Sequence, residues 1–98
     1  MKTLNNQAIQ FKGKPLLGEN AKEILVIDLI QVILEGSLYQ NSRDIIKASK
    51  ILANLKVVDD KINIEDEDFK FFKQWAEVYP PVVNKGLMFA DFYQQLEE

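Results

Sequence analysis

Between Ile24 and Leu34 every position is apolar except Asp28 and Gln31. Together with Glu35, these polar residues fall at spacings of three and four, on one narrow stripe of a helix. The pattern predicts a first helix over residues 20–35. Asn20 is its expected N-cap, Glu23 supplies a variant of the capping box, and Gly36-Ser37 ends it. A helix with so narrow a wet stripe lies centrally in its domain or is half-covered by another subunit.

Helical periodicity returns three more times. Over residues 42–55, Ile45, Ala48, Ser49, Leu52 and Leu55 share one face, which Ile46 and Ala53 widen. The polar residues Arg43, Asp44, Lys47, Lys50 and Asn54 fall mainly outside it. In "EDEDFKFFKQW", four acids from Glu65 to Asp68 crowd a helix entry, where carboxylates favour the positive end of the dipole. Phe69, Phe72, Trp75 or Ala76, and Tyr79 follow at helical spacing, with Phe71 and Val78 to the side. Pro80-Pro81 stops this helix, since neither proline donates an amide hydrogen and the residue before a proline avoids helical geometry. Asn84 then caps a last helix from about Lys85, with Met88, Phe89, Phe92 and Leu96 on one face.

Period-two patterning is confined to short pieces. Ala8, Ile9 and Phe11 predict a strand that runs into the turn residues Gly13-Lys14-Pro15. In Lys61–Glu65, Ile62 and Ile64 alternate with polar neighbours, and Asp59-Asp60 supplies a turn before them. Two such strands are too short to stand alone, so they are expected to pair as a ribbon on the helices. The predicted fold is a mainly helical α+β domain, 1–98, in the order β-α-α-β-α-α.

Composition narrows the chemistry. With 98 residues, 47% hydrophobic and 28% charged, the chain suits a single globular core. A net charge of -3 lacks the basic footprint of sequence-independent nucleic-acid binding. There is no cysteine and no histidine. Disulfides and thiolate sites are therefore excluded, and the commonest general base and zinc ligand are missing. Catalysis would fall to carboxylates, lysines, tyrosines or a hard metal, so a non-enzymatic protein is expected. The apolar run Ile24–Leu34 falls well short of the roughly 20 residues that span a bilayer. The opening "MKTLNNQAIQ" lacks the apolar core of a signal peptide, and a soluble cytoplasmic protein is expected.

Three constellations could carry chemistry. Six carboxylates between Asp59 and Asp68 surround Lys61, yet an EF-hand loop would place Lys61 at its third position and Ile64 at its glycine. Helix-entry electrostatics account for the acids, and no metal or other cofactor is expected. In "FKGKPLLGEN", Lys12 and Lys14, joined by Lys22, could attract an anion near a helix start, although the P-loop pattern fails. The third is a surplus of late aromatics, eight between Phe69 and Tyr93, more than two short helices can turn inward. Phe71, Trp75 and Tyr79 are the candidate binding residues there, since exposed aromatics mark partner surfaces. With the nearly all-apolar first helix, they predict a homo-oligomer.

The pieces "FKGKPL", "INIEDEDFKFF", "VYPPVVNKG" and the closing "QQLEE" occur in an order that resembles small uncharacterised proteins encoded by tailed phages and prophages. The resemblance spans nearly the whole chain and implies a phage-accessory setting with a small interaction role. It brings no site residue. The leading expectation is a non-enzymatic interaction protein that acts as an oligomer on a host or virion protein. The alternative is a binder that sequesters an anionic nucleotide-like ligand between Lys12, Lys14 or Lys22 and an aromatic of the third helix. A hard-metal enzyme comes third.

Overall fold

A computed structural model describes residues 1–78 and 86–97 of the protein. It is a mainly helical α+β fold with two small antiparallel sheets. Strands β1 (Lys2–Asn5), β2 (Gln10–Phe11) and β3 (Lys14–Pro15) precede helices α1 (Val26–Gly36) and α2 (Ser42–Asn54). Strands β4 (Val57–Val58) and β5 (Lys61–Ile64) follow, then α3 (Asp66–Val78), a 3-10 turn (Gly86–Phe89) and α4 (Ala90–Glu97).

The larger sheet has the order β1-β5-β4. Ile62 and Ile64 point into the core, as their alternation predicts, and Lys61 and Asn63 face out. The partner of β5 differs from the expected one: it is Lys2–Asn5, not Ala8–Phe11. The register sets buried Leu4 opposite buried Ile62, and on the outer face Thr3 Oγ1 donates to Asn63 Oδ1 at 2.8 Å. One inward side chain in a four-residue strand leaves almost no periodicity to read.

Ala8–Phe11 enters a different construction. β2 and β3 form a hairpin across Lys12-Gly13, both at positive φ (54° and 77°), as a two-residue type I′ turn requires. Behind it three backbone segments close a ring. Ile9 N–H donates to Ile24 O (2.8 Å), Ile24 N–H to Leu16 O (2.9 Å), and Leu16 N–H to Ile9 O (2.8 Å). Ile9 is fully buried at this junction and Leu16 nearly so.

That ring explains why α1 starts six residues later than predicted. Asn20 and Ala21 lie in the left-handed region, and Ile24 spends both backbone groups on neighbouring segments. The first helical amides are met by other partners: Val26 N–H by Gln7 O (3.1 Å) and Ile27 N–H by Asn6 Oδ1 (3.0 Å). Asp28, not Glu23, reaches back to the Leu25 N–H at 3.0 Å.

Asn41 caps α2, its Oδ1 accepting from Asp44 N–H at 2.9 Å. The helix is rotated from the predicted orientation. Ala48 and Ile51 are buried, whereas Ile45, Ile46 and Ser49 are exposed. The core takes Phe72 and Ala76 from α3 and Phe92 and Leu96 from α4, with the Phe72 and Phe92 rings edge-to-face at 6.5 Å. Lys73 Nζ meets Glu97 at 3.2 Å, and Asp91 accepts from the Gln10 N–H at 3.4 Å, tying α4 to α3 and to the β2–β3 hairpin. The Pro80-Pro81 corner, the Asn84 cap and the helix start at Lys85 lie outside the described residues. Among the described residues no helix is long and apolar enough to cross a membrane.

Candidate interaction surface

The corner between α1 and α2 is built by two side chains that satisfy the last carbonyls of α1. Ser37 Oγ donates to Ile33 O at 2.6 Å, and Tyr39 Oη donates to Leu34 O at 2.7 Å. The Tyr39 ring then lies on α3, stacked on Phe71 (6.1 Å between centroids) and edge-on to Trp75 (4.7 Å). Lys47 of α2 places its ammonium 5.2 Å from the centre of the Phe71 ring. Burial pushes the Tyr39 hydroxyl pKa up, reinforced by the negative charge of Asp44 and opposed by a hydrogen bond with Ser37.

Phe71 and Trp75, two of the expected binding residues, therefore meet in one cluster, and Tyr79 lies outside the described residues. Phe71 departs from the expectation. Instead of facing a partner as an exposed aromatic, it is only 8% exposed. Tyr39 and Lys47 cover it, and neither was singled out in the sequence. The legible signal was an aromatic three residues past the end of an apolar helix, where unpaired carbonyls need donors.

The three lysines occupy two separate turns. Lys12 sits in the tip of the β2–β3 hairpin with Nζ 5.3 Å from the Phe11 ring centre, and exposed Lys14 follows on β3. Lys22 is exposed in the loop closed by the Gly18 N–H to Lys22 O bond (2.7 Å). Among the described residues no hydrogen bond or ring contact joins them to one another or to an aromatic of α3. Among the described residues, surface cavities lie elsewhere. One of about 280 Å³ is lined by Ile51, Asn54, Leu55, Asn63, Ile64, Glu65 and Asp68. A second, of about 220 Å³, lies between β1 and Gln95, and a third, of about 430 Å³, lies over Asn41–Asp44.

The acidic run divides into two structural duties. Asp59 and Asp60 make the β4–β5 turn at φ 53° and 60°, and Asp66 holds the Met1 ammonium at 2.9 Å. That ion pair holds the Asp66 carboxyl below its ordinary pKa and the Met1 amine above its own. Among the described residues no three carboxylates converge as metal ligands would.

Exposed aliphatics are the more concentrated feature. Leu38, Ile45, Ile46, Val57 and Val58, half of the ten large exposed hydrophobic residues described, fall on α2 and its flanks. At roughly 100° per residue, Ile45, Ser49, Ser42, Ala53 and Ile46 fill one uncharged arc away from buried Ala48 and Ile51. Arg43, Lys47 and Lys50 border that arc on one side. No family model matches the chain, and no curated protein or solved structure matches it significantly.

Proposed function

We propose that this protein is a non-enzymatic accessory interaction protein of the phage and prophage type, acting in the cytoplasm as a small homo-oligomer on a protein partner. The uncharged outer arc of α2 carries the proposal. Ile45 and Ile46 each stand 54% exposed there, with Leu38 84% exposed in the loop before the helix. A fully buried isoleucine is worth roughly 1.5–3 kcal/mol, so covering these side chains gives a partner substantial drive. The basic border of Arg43, Lys47 and Lys50 favours a partner with an apolar centre and acidic margin, because charge at an interface rim steers encounter and orientation. A composition without histidine or cysteine supports the non-enzymatic part of the proposal.

The test is affinity capture from the source cells with the wild type beside Ile45→Glu/Ile46→Glu. Both substituted positions are half-exposed, so the variant keeps its fold. A partner captured by the wild type and lost from the variant is the expected result. An identical set of captured proteins overturns the assignment to α2.

A further inference from the structure

We propose that the uncharged arc of α2 receives one amphipathic helix of the protein partner, with a row of carboxylates along one flank of that helix's apolar face. The inference rests on the partner-binding surface in the proposed function, and it names the fold and charge of what binds there.

Charge is spread unevenly along the chain. Residues 36–58 hold Arg43, Lys47, Lys50 and Lys56 against the single acid Asp44, a net +3. The whole chain carries -3, so the other residues sum to -6. On α2 the basic residues are also one-sided. At about 100° per residue, Lys50 and Arg43 follow directly after Ile46 around the helix. Lys47 lies beyond them, with its ammonium over Phe71 of α3. The opposite border, past Ile45, is Leu52 and then buried Ala48, without charge. A partner on this arc therefore meets positive charge on the α3 side and none on the other.

The arc runs from Ser42 to Ala53, about 16 Å at 1.5 Å per residue, which matches roughly three turns of a helix laid along it. Exposed Ile45 and Ile46 stand out among the smaller Ser42, Ser49 and Ala53, a relief into which the side chains of a second helix pack. A second α2 does not fit it. In an antiparallel two-fold pair the basic border of each helix faces the same border of the other, and like charges across an interface repel. In a parallel two-fold pair it faces the uncharged border. A helix with acids on one flank meets the basic border with unlike charge, which also fixes its orientation. A lipid surface fits less well. Ser42 and Ser49 interrupt the apolar arc, and a total charge of -3 opposes approach to anionic headgroups.

The test is an NMR titration of the isotope-labelled protein with two synthetic peptides. Each is an amphipathic helix with leucines on one face, and they differ only in carrying glutamate or lysine along one flank. The glutamate peptide is expected to shift the amides of α2 and to bind on the order of tenfold more tightly than the lysine peptide. Arg43→Glu/Lys50→Glu should reverse that order, with circular dichroism as the check on folding. Both positions are exposed, and Lys47 is left in place because it covers Phe71. Equal binding of the two peptides to α2 overturns the acidic flank and leaves the α2 surface standing. Shifts confined to other elements, or no binding of either peptide, overturn the docked helix. Shifts of α2 with phosphatidylglycerol vesicles and not with the glutamate peptide assign the arc to lipid and overturn it too. An unchanged set of proteins captured by Ile45→Glu/Ile46→Glu, by contrast, overturns the surface itself.

Discussion

Tyr39 Oη donates to the Leu34 carbonyl at 2.7 Å, and through this bond the α1–α2 corner is fixed to the end of α1. The same ring rests on Phe71 and Trp75, so one side chain both caps a helix and fastens it to α3. Tyr39→Phe keeps the ring contacts and loses the bond, with an expected cost of about 1 kcal/mol in chemical denaturation. Tyr39→Ala also loses two aromatic pairs at about 0.5–1.5 kcal/mol each and should cost more. Equal losses for the two variants would contradict the assignment. Because the folded hydroxyl pKa lies above the ordinary 10.0, its stabilisation is full below pH 10 and fades as pH rises through the folded value. Tyr39→Phe should abolish that alkaline component.

Phe71 is buried, so Phe71→Glu acts on folding before it acts on any assembly. A large drop in melting temperature is expected, because the variant buries an unpaired carboxylate. Ile45→Glu should stay within about 0.5 kcal/mol of the wild type, as surface substitutions do. Thermal scans of the two variants showing the opposite order would refute the orientation assigned to α2.

Two hairpin turns store backbone strain unequally. Gly13 sits at φ 77° with open space where a side chain would project, so Gly13→Ala isolates the conformational cost, about 1–2 kcal/mol. Asp60 adopts φ 60° with a side chain, and Asp60→Gly should relieve strain and raise the unfolding midpoint. A neutral Gly13→Ala would show that the first turn is not left-handed.

The Met1–Asp66 pair lies on the surface, its side-chain atoms 51% and 77% exposed, and salt screens it. The Asp66 pKa is lowered, so its contribution is present above 3.8 and is lost as pH falls through the folded value. The Met1 amine pKa is raised, so its contribution is present below 8.0 and is lost as pH rises through the folded value. The pair therefore stabilises most between about pH 4 and 8. Asp66→Asn should flatten that small difference in low-salt denaturation curves, and an unchanged profile would show that the pair contributes nothing.

Elements whose signals are local were legible in the sequence. The α2 start at Ser42, the acidic entry to α3 and the inward alternation of Ile62 and Ile64 all depend on neighbours within a few residues. The errors lie where distant segments decide. β1 offers one inward residue, Leu4, and is a strand because β5 pairs with it. The start of α1 depends on the Ile9–Leu16–Ile24 ring, which no helix-cap rule contains. In α2, Ile45, Ile46, Ile51 and Leu52 allow two apolar faces, and packing against α1 selected the one with Ile51. The proposed surface was not legible: periodicity assigns exposed Ile45 to the core face of α2, and Phe71, expected to face a partner, is buried, because long-range packing decides both.

Self-association is tested most directly by sedimentation velocity of the wild type across a micromolar dilution series. The account predicts a species of at least twice the 11.3 kDa chain mass that dissociates on dilution. A single 11.3 kDa species at every concentration would contradict it.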